Sequence, residues 1–244
     1  MSAFLKSRAH AVANHLRESA AVKQRTIECC TASILAAAEL IAESFKNGGK
    51  LLLCGNGGSA ADCQHTAAEF TSRLSADFMR PGLPAIALTT DTSFLTAYAN
   101  DFDFGGVFAR QVQAIGKPGD VLIGISTSGR SRNVIRAFET AHAMGVKTVA
   151  LTGAGTGERR GGHRFEENWS PPVGSLASCP QPASNATPPG PPSVRRGMID
   201  LADVAICVPS DNTQHIQEAH IAIEHIICHL VERAVFGEQH AKTT

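Results

Sequence analysis

The chain has 244 residues, 43% of them hydrophobic, and its 22 basic side chains equal its 22 acidic ones in number. This length and composition allow one sizeable buried core and exclude a natively unfolded chain. Zero net charge removes the general basic field that non-specific nucleic-acid binding needs, and the longest apolar stretch, 32–42, is too short to span a bilayer. We therefore expect no nucleic-acid partner and no membrane association.

The N-terminal segment and the cysteines point to the cytoplasm. Residues 1–19 lack a continuous apolar segment and a small-residue cleavage site, so we expect no secretory signal. The seven cysteines are odd in number and form no Cys-x-x-Cys motif. Reduced thiols in a cytoplasmic protein are the expected state.

Secondary structure is predicted to alternate along most of the chain. Residues 1–47 lack helix breakers until Gly48 and predict an N-terminal pair of helices. Short apolar runs predict strands at 50–54, 84–88, 120–126, 147–152 and 204–208. Segments of helical period predict helices at 59–73, 104–115, 131–144 and 214–236. This alternation is typical of an α/β fold, in which a five-stranded parallel sheet is buried on both faces by helices.

A proline-rich segment interrupts this pattern. Eight of the 12 prolines fall within residues 171–192. Such a composition cannot bury enough apolar surface to offset its ordering entropy. We interpret 158–196 as a flexible insertion within a single domain that spans residues 1–244.

A glycine-rich turn, residues 55–59, follows the first predicted strand. Its sequence is Gly55-Asn56-Gly57-Gly58-Ser59. A strand that runs into glycines and then into a Ser-capped helix lets the backbone approach an anionic ligand. The spacing matches neither the dinucleotide fingerprint nor a nucleotide-binding loop with its lysine, and a plain tight turn explains it equally well.

A hydroxyl-rich loop, residues 126–131, follows the third predicted strand. Ser126, Thr127, Ser128 and Ser131 bring four hydroxyl groups to the start of the next helix. Hydroxyls and free amides at a helix N-terminus can hold a phosphate without metal or lysine. A simple helix cap is the alternative, but hydroxyls this dense at the carboxyl end of a strand favour phosphate binding.

Two predicted helices carry possible metal ligands or acid-base groups. His65 and Glu69 are one helical turn apart, and Gln217 and His225 lie about two turns apart on the last helix. Such a set could bind a divalent metal or supply a carboxylate and an imidazole for proton transfer. On spacing alone a solvated helix face is the more common explanation, and His220 and His229 are interpreted as structural or surface groups.

Six ordered motifs carry a resemblance to a known family. They are Gly55 to Ser59, His65-x-x-x-Glu69, Asn100-Asp101-Phe102, Gly124 to Ser131, Leu151-Thr-Gly153 and Ile216-Gln-Glu-x-His220-x-x-x-x-His225. With these motifs the chain resembles the bacterial phosphoheptose isomerases, also called sedoheptulose 7-phosphate isomerases, of the sugar isomerase (SIS) domain superfamily. The resemblance runs from about residue 5 to residue 236, apart from the proline-rich insertion.

The resemblance implies a flavodoxin-like fold, a homotetramer with active sites between subunits, and one Zn²⁺ per subunit. It implies as metal ligands His65, Glu69, Gln217 and His225. It implies substrate contacts from the two turns, from the middle of the chain and from the last helix: Asn56, Gly57, Gly58, Ser59, Asn100, Asp101, Ser126, Thr127, Ser128, Ser131 and Gln217. The apolar faces of 26–45 and 216–233 fit helices that are buried between subunits.

The implied reaction is an aldose-ketose isomerisation of sedoheptulose 7-phosphate to D-glycero-D-manno-heptose 7-phosphate, which begins the synthesis of ADP- or GDP-heptose for lipopolysaccharide or other surface glycans. We expect Glu69 to carry a proton from C1 to C2 through an enediol, and His225 to move protons between O1 and O2. The alternatives are a non-catalytic SIS protein that binds the replication initiator DnaA, and a sugar-phosphate sensor. The presence of both Glu69 and His225 favours the enzyme.

Overall fold

The described part of the chain contains five strands and seven α-helices. A computed structural model describes residues 3–154 and 197–237, with side chains from residue 7 onward. The strands are β1 Leu51–Gly55, β2 Ala85–Ala87, β3 Val121–Ser126, β4 Lys147–Gly153 and β5 Val204–Val208. The helices are α1 Ala3–Lys46, α2 Gly58–Thr71, α3 Thr92–Asp101, α4 Val107–Ile115, α5 Arg132–Ala143, α6 Met198–Leu201 and α7 Thr213–Phe236. The predicted insertion at 158–196 lies entirely outside the described residues, which end at 154 before it and resume at 197 after it.

The five strands form one parallel sheet in the order β2-β1-β3-β4-β5. This order is flavodoxin-like, and it confirms the predicted α/β fold. The chain leaves β1 for β2 on one side and then returns to place β3 on the other side. The carboxyl ends of β1 and β3 therefore lie side by side, at the point where such sheets usually bind ligands.

Both faces of the sheet are buried, as predicted. In β1, Leu51 and Leu53 belong to the apolar core that includes residues of α1, α2 and α7. The alternate residues Leu52 and Cys54 belong to a second core that includes residues of α4 and α5. Because strand side chains alternate between faces, a uniformly apolar run is what a strand covered on both sides requires.

The predicted set of helices needs three corrections. The expected N-terminal pair is wrong, since α1 is one continuous helix of 44 residues, about 66 Å long at 1.5 Å per residue. The predicted helix at 104–115 divides into a 3₁₀ turn at Phe104–Gly106 and α4. Helix α3 was not predicted, and it begins where the Asp91 side chain accepts a hydrogen bond from the Phe94 amide. Among the described helices, none combines the length and the apolar character needed to cross a membrane.

A buried ion pair joins the end of α2 to α7. Arg80 Nε lies 3.1 Å from Glu232 Oε2, and both side chains are fully buried. The same guanidinium donates to the carbonyls of Glu69 and Phe70, each at 2.8 Å, in the last turn of α2. Carbonyls at a helix C-terminus lack partners within the helix, so Arg80 both caps α2 and holds it against α7.

Replacing Glu232→Gln should destabilise the fold by about 3 kcal/mol, because it leaves the buried Arg80 charge without its counterion. Urea unfolding of the two proteins measures the difference. The matched control is Asp103→Asn, which breaks the partly exposed pair in which Arg136 Nη1 lies 2.9 Å from Asp103 Oδ1. That change should cost less than about 1 kcal/mol, and equal losses in the two variants would contradict the importance of the buried pair.

Candidate active site

The glycine turn approaches α7 closely. Gly57 has a φ of +57°, a conformation that side-chain-bearing residues rarely adopt. A Cβ atom on Gly58 would lie 2.5 Å from Gln217 Nε2, so a larger residue there would displace the Gln217 side chain. The expected serine cap is wrong: Gly57 is the N-cap of α2, no side chain caps it, and Ser59 is buried in the first turn. The turn thus offers uncapped backbone amides beside the Gln217 side chain.

The hydroxyl loop forms a small network of its own. Ser126 Oγ lies 2.9 Å from Ser131 Oγ and 3.5 Å from Ser128 Oγ. Ser131 is the N-cap of α5, yet its side chain caps no amide of the helix. Ser131 therefore leaves the first amides of α5 uncapped beside a cluster of hydroxyl groups, which is the arrangement expected of a phosphate cradle.

A pair of amide side chains ties the two turns together. Asn56 Nδ2 donates to Asn133 Oδ1 at 2.9 Å, and Asn133 Nδ2 donates back to Asn56 Oδ1 at 2.8 Å. Asn133, in the first turn of α5, is buried. The sequence does not predict a site role for Asn133, because an asparagine near a helix start is usually a local cap. Only the sheet order shows that it faces Asn56.

Three possible metal ligands meet between α2 and α7. The ligand atoms of His65, Glu69 and His225 all lie within 4.8 Å of one another. His65 Nε2 is 2.8 Å from His225 Nε2 and 3.7 Å from Glu69 Oε1. The other Glu69 oxygen, Oε2, is buried and has no hydrogen-bond partner among the described residues. Two imidazoles and a carboxylate with an unpartnered oxygen fit a divalent metal such as zinc.

Two acidic residues of α7, Glu218 and Glu224, point away from these ligands. Glu224 is buried and accepts a hydrogen bond from Thr66 Oγ1 at 2.9 Å. Burial, helped by the nearby Asp62 carboxylate, raises the pKa of Glu224 to about 8. Glu218 turns instead toward α1, where its Oε1 lies 2.7 Å from His15 Nε2.

The remaining predicted site residues lie apart from this cluster. Asn100 and Asp101 are exposed at the end of α3, and the Asn100 amide donates to Asp101 Oδ1 at 2.9 Å. Gly153 precedes the undescribed segment and donates its amide to the Thr127 carbonyl at 3.1 Å. Met198, just after that segment, donates to the Gly129 carbonyl at 3.0 Å. Described residues on both sides of the segment therefore contact the hydroxyl loop.

Comparison with known proteins identifies the family. Residues 14–153 match the family model of the SIS domain. The chain is 46% identical to the phosphoheptose isomerase of Roseiflexus sp. over 227 residues, which are 93% of this chain and 94% of the relative. The phosphoheptose isomerase of Akkermansia muciniphila is 43% identical over 82% of this chain and 84% of its own length. The chain belongs to the phosphoheptose isomerase family of SIS domain proteins.

Solved structures of this family share the fold. The phosphoheptose isomerase of Francisella tularensis aligns with a TM-score of 0.72 at 30% identity and covers 96% of this chain and 100% of that one. The enzyme of Neisseria gonorrhoeae aligns with a TM-score of 0.69 at 38% identity and covers 91% and 97%. The family predicted from the motifs is thereby confirmed.

A buried histidine on α7 lies between Gln217 and His225. His220 is fully buried, whereas His229 is exposed beside Arg233, and their interpretation as structural or surface groups stays a prediction. Burial lowers the pKa of His220 to about 4, although the backbone of Thr152 partly offsets this effect. The ring is therefore neutral in the folded protein at neutral pH.

Acidification should destabilise the protein through His220. Between pH 6.5 and pH 4 the unfolded chain binds a proton on this residue that the folded chain does not, so its contribution to stability falls as the pH falls. Glu224, whose pKa is raised by burial, has the opposite effect, because its contribution to stability rises as the pH falls. The test therefore compares His220→Asn with the wild type, both metal-free, since the Glu224 effect is common to the two proteins. From pH 7 to pH 5 the wild type should lose about 2 kcal/mol more than the variant in urea unfolding. Parallel losses would contradict the low pKa.

Proposed function

We propose that the chain converts sedoheptulose 7-phosphate to D-glycero-D-manno-heptose 7-phosphate, an aldose-ketose isomerisation that supplies activated heptose for surface glycans. The family supports this reaction class, and the site supports it through one main observation. The Glu69 carboxylate converges with the imidazoles of His65 and His225, the latter 160 residues after His65 in the chain. One Glu69 oxygen is buried and has no partner in the part of the chain that the structure describes. Such an oxygen is suited to accept a proton.

Substrate binding is assigned to the two turns. The hydroxyls of Ser126, Ser128 and Ser131, with the amides at the start of α5, would hold the 7-phosphate. The Asn56–Asn133 amide pair fixes the glycine turn relative to this loop. Binding energy at the phosphate, far from the reacting carbons, would then hold C1 and C2 against the catalytic residues.

Proton transfer is assigned to Glu69 and His225. Glu69 would take the proton from C1 to give the enediol and return it to C2. The His225 side chain, exposed at the other end of the cluster, would move protons between O1 and O2.

A zinc ion at this cluster would be held by His65, Glu69, Gln217 and His225. The close approach of the ligand atoms of His65, Glu69 and His225 fits that role. Gln217 lies against the glycine turn at Gly58. When bound, zinc would polarise the substrate carbonyl and stabilise negative charge on oxygen. A cytoplasmic location is consistent with the six described cysteines, all of which are free.

Glu69→Gln should lower turnover by a factor of about 100 to 10,000, because the variant lacks the general base but keeps the shape of the side chain. The measurement is heptose 7-phosphate production, with deuterium incorporation at the substrate carbons followed in D₂O. Zinc content is determined in parallel, since Glu69 is also a proposed ligand. Near wild-type turnover or exchange would refute the assigned role.

Ser128→Ala is the matched comparison, because it alters the phosphate cradle and leaves Glu69 intact. Its Michaelis constant should rise while deuterium incorporation at saturation persists. An unchanged Michaelis constant would count against the phosphate assignment. If folded, zinc-loaded wild-type protein turned over no sugar phosphate, the proposed reaction itself would be wrong.

The alternative of a non-catalytic DnaA-binding protein gains no support from the relatives described above. Both proposed proton-transfer groups are present, and they come together in the fold. The proposed domain organisation is one SIS domain that carries the 158–196 insertion.

We also infer that copies of the chain assemble, with a homotetramer as the proposed state. An apolar groove of about 500 Å³ runs between α1 and α7. Its lining includes the exposed side chains of Ile27, Leu35 and Ile226. Exposed apolar patches of this kind are usually covered by a partner, and a second copy of the same helices offers a complementary apolar face.

Leu35→Lys should weaken this assembly, because it puts a charge into the groove. Sedimentation velocity should show a tetramer for the wild type and smaller species for the variant. Ile199→Lys is the matched control, since Ile199 and Leu35 are both 47% exposed but Ile199 lies outside the groove. A monomeric wild type, or identical behaviour of the two variants, would contradict the assembly proposal.

A further inference from the structure

A second cluster of metal-ligand side chains joins α1 to the start of α7. His15, His215 and Glu218 place their ligand atoms within 4.8 Å of one another. His15 lies on α1, and Glu218 follows it 203 residues later. None of the three belongs to the proposed isomerase site. We propose that this cluster is a second metal site, which binds a zinc-like divalent ion separately from the cluster at Glu69.

One buried nitrogen in the cluster has no partner among the described residues. His215 is only 4% exposed, and its Nε2 makes no hydrogen bond to any described residue. Glu218 is different, because hydrogen bonds from Ser19 and His15 lower the pKa of its carboxyl. A buried polar atom that loses its water without gaining a partner is costly, and a metal ion bound by His215 would satisfy its free nitrogen.

The donor set selects the class of metal. Two imidazole rings, with centroids 4.7 Å apart, and one carboxylate supply two nitrogens and one oxygen. Zinc is commonly held by two histidines and a glutamate with water in the fourth position. Calcium and magnesium prefer sites made of oxygen atoms, so imidazole donors disfavour them.

One cation lies near the cluster. Lys23 Nζ donates to Ser19 Oγ at 2.6 Å and acts electrostatically on Glu218, so an ion at this site would bind against one positive charge. His15 and Glu218 are each about two-fifths exposed at the side chain, so an ion could enter from solvent. The competing explanation is a simple hydrogen-bonded pair between His15 Nε2 and Glu218 Oε1, 2.7 Å apart.

The two metal clusters can be tested separately. His215 and Gln217 are two residues apart on α7, and side chains at that spacing point to nearly opposite sides of a helix. A substitution in one cluster therefore leaves the ligands of the other in place. An ion at the second site would also tie α1 to α7, which makes thermal stability a readout independent of turnover.

The experiment counts zinc bound to full-length, metal-stripped protein after titration with Zn²⁺ and desalting. The wild type should bind one ion per subunit more than His15→Gln. In the His65→Gln background, which lacks a ligand of the first cluster, adding His15→Gln should remove the remaining ion. Zinc should raise the melting temperature of His65→Gln and not that of the double variant. Glu218→Gln in place of His15→Gln should give the same losses.

His10→Gln is the control. His10 is an exposed histidine on the same helix, bonded to Asn14, and its replacement should leave the zinc count unchanged. Because the exposed thiol of Cys29 can take up zinc, the deciding quantity is the difference between variants. Equal zinc content in His65→Gln and the double variant would mean an ion pair only and would overturn the proposal. These measurements use no substrate, so they are independent of the isomerase assignment.

Discussion

The packing of α7 against α2 is the constraint on which the candidate active site depends. His65 and Glu69 take their spacing from one helix, but His225 reaches them only because the last helix docks beside α2. The buried pair between Arg80 and Glu232 fixes that docking, and the Arg80 guanidinium donates to the Glu69 carbonyl itself. A buried ion pair contributes little net stability, yet it tolerates few other geometries. The positions of the ligands are thus set by charges that take no part in the chemistry.

The sheet order places the proposed phosphate-binding loop and the proposed proton-transfer groups on different helices and turns. Because β1 and β3 are neighbours, the glycine turn and the hydroxyl loop emerge side by side, and the Asn56–Asn133 pair links them. Helix α5 then offers its N-terminus to an anion, while α2 carries His65 and Glu69 about two and three turns from its own start. A phosphorylated sugar needs both functions, an anchor for its charged end and proton-transfer groups for its other end.

The sequence predicted what local patterns determine and missed what long-range contacts determine. Strand β5 was predicted with its observed limits because a short apolar run there is bounded by polar residues. The start of α2 was predicted with the wrong cap because a glycine can end a strand and begin a helix without a side-chain bond. The spacing of His65 and Glu69 is a local feature, but their convergence with His225 was available only through resemblance to a family. The role of Asn133 depends on a partner 77 residues away, which no local pattern shows.

Helix α7 contains four buried ionisable side chains. His215, His220, Glu224 and Glu232 are each at most 4% exposed on this one helix. Each of them costs desolvation free energy that an apolar residue would avoid, so stability alone would favour a more apolar helix. Glu232 is explained by its ion pair, and Glu224 by its bond to Thr66. His215 and His220 have no such side-chain partner within the described residues. Of the two, His215 lies beside other possible metal ligands, and departures from simple core packing usually mark functional sites, so a ligand is the more economical account of that residue.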